Sequence, residues 1–219
     1  MVVRESFDNN LQELQGKMSM MAKLSITAME KAFEALKKQD VEIALKVIDE
    51  DTVIDNLDTE INQFVIWLMV KEQPVARDLR RIIGALKITS EIERIADFAV
   101  NIAKSTIKIG QTHSLVKITN LDQMKDLSIT MLEKALQSFI EENMVLAKEV
   151  GDLDDKVDKY SGETYKAITN YLKDHPEETD QLVQLLFINR YLERTADHIT
   201  NIAESAAYLI KGRIYDFNS

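Results

Sequence analysis

Glu93-Arg94-Ile95-Ala96-Asp97, followed by Asn101-Ile102-Ala103, is written a second time as Glu193-Arg194-Thr195-Ala196-Asp197 and Asn201-Ile202-Ala203, a spacing of 100 residues. Working outward, Leu24-Ser25-Ile26-Thr27 returns as Leu127-Ser128-Ile129-Thr130, and Glu30-Lys31-Ala32 as Glu133-Lys134-Ala135, at a spacing of 103. That spacing holds through Asp51 and Asp55, which meet Asp154 and Asp158. The change from 103 to 100 means that about three residues are missing from the second copy between those blocks. The chain is a duplication, and a duplication is its own alignment. Residues found in both copies are used twice, and many of them are carboxylates.

The repeat is helical. Phe7, Leu11, Leu14, Met18, Met21, Ser25, Ala28, Ala32, Ala35 and Leu36 recur at spacings of three and four, one apolar stripe on a helix. The spacing predicts helices over about 5–38, 41–72, 76–109, 119–142, 144–173 and 177–212. Asp40 is the expected N-cap of the second. Pro74 and Pro176 occupy corresponding breaks, because proline suits a first helical turn and blocks an interior one. Gly110-Gln111-Thr112-His113 is the expected linker. The expectation is an all-α protein of two tandem three-helix bundles, residues 1–112 and 113–219, elongated and related by a pseudo-twofold axis. With only six glycines and two prolines, long helices are favoured over many short strands.

Composition narrows the function. The formal net charge of −10, with no dense basic patch, excludes nucleic acid as an expected partner. The absence of cysteine excludes disulfides, thiolate zinc and iron–sulfur clusters. Phe64–Val70 is the longest apolar run, far short of the roughly 20 residues of a membrane span. No signal-peptide pattern opens the chain, so a cytoplasmic protein is expected. There is no phosphate loop, no nucleophile elbow and no His-Glu-x-x-His. No acid precedes His113, His175 or His198 by three positions, which argues against a ferritin-like di-iron enzyme. No catalytic constellation is present, and a non-enzyme is expected.

Four pairs share the form acid-x-x-x-acid: Asp51/Asp55, Glu93/Asp97, Asp154/Asp158 and Glu193/Asp197. Residues four apart share a helix face, and like charges so placed repel by a few tenths of a kcal/mol. A hard cation is a natural reason to repeat that cost at equivalent places, since carboxylate oxygens suit Mg²⁺, Ca²⁺, Mn²⁺, Fe or Zn. Asn101 and Asn201, one turn further along, are weaker candidate ligands. The competing explanations are a solvated groove, or salt bridges to Arg94 and Arg194, in a chain with 37 acidic residues.

Gln73-Pro74-Val75-Ala76-Arg77-Asp78-Leu79-Arg80, then Glu91-Ile92-Glu93-Arg94-Ile95-Ala96-Asp97, resembles the PhoU family of phosphate-regulon regulators. So does Tyr191-Leu192-Glu193-Arg194-Thr195-Ala196-Asp197, and the likeness runs through both halves from Arg4-x-x-Phe7 onward. Ala96 and Ala196 stand where glycine is usual in the family, and Thr195 where isoleucine is usual. The resemblance implies two three-helix bundles whose acid motifs hold multinuclear iron or zinc. Its ligand positions map onto Asp51, Asp55, Glu93 and Asp97 in one half, and Asp154, Asp158, Glu193 and Asp197 in the other. Asp155 is a rival to Asp154. It further implies a homodimeric negative regulator of phosphate uptake and phosphate-regulon signalling. Such a protein contacts the ATPase of a phosphate ABC transporter and a sensor histidine kinase, and is peripheral to the membrane through those partners. The rival functions are a carboxylate-bridged metalloenzyme and a metal-free helical scaffold.

Three features stand outside that scheme. His198 is replaced by Phe98 in the first copy and is a poor ligand candidate, while His175 and His113 are expected in solvent. Phe64–Val70 is apolar all round its helix although Thr169, Asn170 and Lys173 correspond to it in the second copy. It is either a deeper local core or a surface for self-association or a partner. Arg77, Arg80 and Arg81 read first as a solvated basic turn and only secondarily as a phosphate site.

Overall fold

The structure is a computed structural model that describes residues 2–110 and 113–217. Gln111 and Thr112 of the expected linker lie outside the described residues, as do the side chains of Arg4 and His113. Six long helices form: α1 (Val2–Lys38), α2 (Val41–Glu72), α3 (Ala76–Ile109), α5 (Leu121–Ile140), α6 (Met144–Asp174) and α7 (Thr179–Lys211). Two short elements were not legible as such. One is the one-turn α4 (His113–Val116); the other is the 3₁₀ turn Pro176–Glu178 that leads into α7.

The first hairpin of each half is built the same way. Gln39 and Glu142 both take a positive φ, 56° and 52°, a conformation uncommon outside glycine. Each is followed by an N-cap whose side chain accepts two backbone N–H groups: Asp40 from Glu42 and Ile43, Asn143 from Val145 and Leu146. The backbone N–H of Asp40 returns to Ala35 O at 3.0 Å, and that of Asn143 to Ser138 O at 2.9 Å. These bonds satisfy part of the orphan groups at both helix ends and turn the chain back sharply. Gly212, at φ 68°, stops α7 with its N–H on Tyr208 O at 2.8 Å.

Packing decides how the copies sit. Within each half the three long helices touch one another, and across the halves the equivalent helices α3 and α7 make broad contact, with α1 meeting α5 more lightly. Contact between equivalent helices is what a pseudo-twofold axis requires. The halves are therefore not separate beads on an elongated rod. Buried side chains from all six long helices, including Met18, Ile61, Ile92, Met131, Val157 and Leu192, join one hydrophobic cluster. Ala96, Ala99, Ala103, Ala196, Ala203 and Ala206 are buried on α3 and α7 and keep these two helices narrow within the core. The repeated serines lie in the same interior. Ser25 and Ser128 are buried and donate to the carbonyls four residues back, Met21 O and Met124 O. α2 and α6 pack within their own halves, and each carries one acid pair of its half.

Candidate metal centres

α2 and α3 bring the first acid set together, and α6 and α7 the second. Asp51 and Asp55 are one turn apart on α2, Glu93 and Asp97 one turn apart on α3; Asp154/Asp158 and Glu193/Asp197 repeat this on α6 and α7. Burial pushes the Asp51 carboxyl up to about 6, helped by the negative charges of Asp55 and Asp97, with Lys104 opposing. At the equivalent position Asp154 is only 5% exposed. Its burial, with the charges of Asp158 and Asp197, raises it to about 7 against a lowering hydrogen bond from Thr200. One Asp154 oxygen, Oδ1, is buried without a hydrogen-bond partner. Burial likewise raises Glu93, with Asp97 adding to it, and raises Asp158 and Asp197, with Glu193 adding to both. The two positions most perturbed, Asp51 and Asp154, are the same position of the repeat. Asp155, the rival to Asp154, is exposed and acts on the site only through its charge.

Carboxylates raised by burial and by neighbouring negative charge, as Asp51, Glu93, Asp154, Asp158 and Asp197 are, favour a cation between them. The donor set is entirely oxygen, with hard-ligand chemistry that suits Mg²⁺, Mn²⁺ or carboxylate-bound iron, and tolerates zinc. The buried, unpartnered Asp154 Oδ1 fits that role. Among the described residues, however, no three acid or histidine side chains converge into a ready coordination shell. Arginines hold some of the carboxylates. Arg94 donates to Asp97 at 3.0 Å and lies 3.5 Å from Glu93. In the second half the corresponding partner is Arg190, at 2.6 Å from Glu193, and not Arg194, whose guanidinium lies over the Phe98 ring at 5.4 Å. Both Arg94 and Arg190 are more than half exposed, so exchanging these pairs for a cation costs about 1 kcal/mol or less each.

Other groups at the centres were not picked out by the repeat. Asp58, one turn beyond Asp55, is half-buried, and its carboxyl is raised by burial and by Asp55, with Asn62 opposing. It extends the first set to a fifth acid. Its signal in the sequence is the plain Asp55-x-x-Asp58 spacing, which the repeat does not mark because the second copy has Ser161 there. Ser161 instead accepts Asn189 Nδ2 at 3.0 Å and donates to Glu193 at 3.4 Å. Asn201 donates to Glu91 across the seam at 3.3 Å, which turns it away from the ligand role considered for it. His198 pairs with the same Glu91 at 2.5 Å. His175 is not free in solvent: it stacks on Tyr171 with ring centroids 3.9 Å apart. Arg77 and Arg81 are not a bare basic turn either, since both pair with Glu142 at the α5–α6 hairpin.

A profile of the PhoU domain matches this chain twice, over residues 18–106 and 121–206. The chain belongs to the PhoU family. It is 34% identical over 220 residues to a phosphate-specific transport system accessory protein PhoU homolog of Clostridium acetobutylicum, covering 99% of this chain and 100% of that one. An Aquifex aeolicus protein of the same description is 38% identical over 204 residues, covering 93% and 92%. The structure of this chain superposes on the crystal structure of the phosphate transport system regulatory protein PhoU from Streptococcus pneumoniae with a TM-score of 0.87 at 30% identity, covering 96% and 99%. For PhoU from Pseudomonas aeruginosa the TM-score is 0.84 at 26% identity, covering 94% and 100%. The two PhoU units carry one acid set each, and among the described residues no helix is long and apolar enough to cross a membrane.

Proposed function

We propose that this PhoU-family protein is a non-enzymatic accessory regulator of phosphate-specific transport. It restrains phosphate uptake and the phosphate-starvation response by contacting the ATPase of a phosphate ABC transporter and a sensor histidine kinase. In this reading it works in the cytoplasm as a homodimer, peripheral to the membrane through those partners, and its two bundles are residues 1–112 and 113–219. The relatives' printed role in phosphate-specific transport, over essentially the whole chain, supports the regulatory part. The observation that carries the metal part is the duplicated acid set, with its most perturbed carboxyls at one repeat position, Asp51 and Asp154.

Asp51, Asp55, Glu93 and Asp97 would hold one centre, and Asp154, Asp158, Glu193 and Asp197 the other. Iron or zinc, when bound, supplies positive charge that cancels the carboxylate repulsion and locks α2 to α3 and α6 to α7. Seven of the eight acids are exposed or half-buried and only Asp154 is buried, which favours a surface role over chemistry in a dry cavity.

The test is metal content by elemental mass spectrometry on untagged protein, beside a Glu93→Gln/Asp97→Asn/Glu193→Gln/Asp197→Asn variant. Iron, zinc or manganese at one or more equivalents, lost in the variant, supports the centres. A parent that is empty and takes up no added metal refutes them and leaves a helical scaffold. The adaptor role is tested by pull-down of the purified transporter ATPase and the kinase; capture of neither overturns it.

A further inference from the structure

A groove of about 730 Å³ runs between α3 and α7 and is walled on its third side by the C-terminal tail. That volume lies in the range of roughly 300–1,000 Å³ typical of small-molecule sites. α3 contributes Arg80, Ile83 and Lys87, α7 contributes Tyr208, and the tail contributes Ile214 and Tyr215. The tail is pinned in place. The Phe217 N–H donates to Glu204 at 2.9 Å. The Phe217 side chain presses on Gly151, where an added Cβ would come within 3.3 Å of it. Arg213 donates to the Tyr215 hydroxyl at 3.0 and 2.9 Å, fixing that residue at the rim.

The groove's own lining carries two cations and two acids, and they differ in their hydrogen bonding. Its acids are occupied: Glu91 by His198 and Asn201, Glu204 by the Phe217 N–H. Its cations are not. Arg80 Nε is buried with no hydrogen-bond partner, and among the described residues neither Arg80 nor Lys87 forms a salt bridge. Beyond Tyr215 a second hollow of about 590 Å³ carries Lys148, Lys211 and Arg213. Five cations thus gather around one tyrosine in a chain whose net charge is −10. Set against the two acids of the lining, Glu91 and Glu204, they leave an excess of positive charge, and such an excess beside low-dielectric walls selects anions. Arginine adds planar, paired donors that match phosphate oxygens.

The apolar walls narrow the class. Two tyrosines and two isoleucines are more than a bare inorganic anion would cover. Tyrosine faces accept planar rings, and Ser90, Ser205 and Asn201 offer hydrogen bonds to ring or sugar edges. We propose that the α3–α7 groove binds an organic phosphate of nucleotide size, its phosphates on Arg80 and Lys87 and its ring against Tyr208 and Tyr215. The site uses none of the eight candidate metal ligands. It spans the seam between the two halves, so a bound ligand touches both units at once.

The experiment is calorimetry on the EDTA-treated full chain with ADP, adenosine and inorganic phosphate as separate probes. ADP is expected to bind saturably. Adenosine and phosphate are each expected to bind about tenfold more weakly or worse, as are ADP to Arg80→Gln, Lys87→Gln and Tyr208→Ala, since each lacks one charge-assisted or stacking contact. Thermal melts establish that each variant is folded, and Lys87, which is exposed, is the least able to affect folding. The proposal is overturned by no saturable ADP heat at millimolar concentration. It is equally overturned if phosphate or adenosine alone binds as tightly as ADP, or if neither charge variant weakens ADP. Because EDTA removes metal, failure here leaves the metal reading standing, and success does not depend on it.

Discussion

Asp154→Asn is expected to stabilise the metal-free protein, and the gain is expected to grow with pH. Asp154 is 5% exposed, one of its oxygens is unpartnered, and the Asp158 and Asp197 charges act on it. Its carboxyl sits at about 7 in the folded chain against 3.8 for an ordinary aspartate. An acid with a raised folded-state pKa keeps its proton longer when folded. Between about pH 4 and 7 the native state therefore binds more protons than the unfolded state, and stability falls as pH rises through that window. The difference of about 3 pH units, at 1.36 kcal/mol each, gives roughly 4 kcal/mol of destabilisation complete above pH 7. Asparagine keeps the polar burial but removes the charge, so a gain of about 2–4 kcal/mol at pH 8 is expected. At pH 4 the gain should be near zero. Urea unfolding in EDTA measures it. With a slope of about 2–3 kcal/mol/M, the midpoint should rise by about 1 M at pH 8 and hardly at all at pH 4. Added iron, zinc or manganese should reverse the order, because a cation stabilises the parent and not the variant. A variant no more stable than the parent at pH 8, or a gap unchanged between pH 4 and pH 8, would refute the claim that this carboxyl is a buried, repelled anion.

Glu142→Gln should behave in the opposite way. Burial raises the Glu142 carboxyl, but Arg77 and Arg81 outweigh it and hold it below its ordinary value. Its contribution is present above the unfolded value and lost as pH falls, so the variant should be about 1–3 kcal/mol less stable at pH 7 and converge on the parent in acid, read by urea midpoints. Gly84→Ala would place a Cβ 2.8 Å from Phe139 Cε2 in the buried seam of α3 and α5. Despite alanine's better helix propensity, the melt should drop by a few degrees, corresponding to about 1–2 kcal/mol; a rise would show that the approach is not tight. Trp67→Lys should cost about 1 kcal/mol or less, because Trp67 is 44% exposed and its ring packs on Phe64 and Lys71 of its own helix. The same variant should shift sedimentation to a smaller species if the exposed Ile66, Trp67 and Val70 face joins two copies. A large loss of stability with no change in size would make this run local core instead.

Helix number, helix order and the eight carboxylates were readable from residues 24–36, 93–103 and their copies, because helical periodicity and a duplication are local patterns in one dimension. The Asp40 cap was legible for the same reason: its partners lie two and three residues away. The short α4 and the 3₁₀ turn were not, since elements of three or four residues carry only about one period of signal, too little to recur. The choice between Asp154 and Asp155 was also invisible. Adjacent residues differ by about 100° around a helix, and only the packing of α6 on α7 says which one is buried. Arg190 lies three residues before Glu193, but Ser90 stands at its position in the first copy, so the repeat does not mark it.

The sequence by itself determined an all-α duplication with acid pairs on matching helix faces, since capping, periodicity and spacing are contacts within a few residues of chain. Only the tertiary structure decided that the halves share one core along α3 and α7, that Asp51 and Asp154 are the most perturbed acids, and that free cations line a groove at that seam. Those properties depend on burial and on charges from helices 30 to 110 residues apart in sequence. Desolvation and through-space charge are set by which surfaces meet, and no local pattern encodes them.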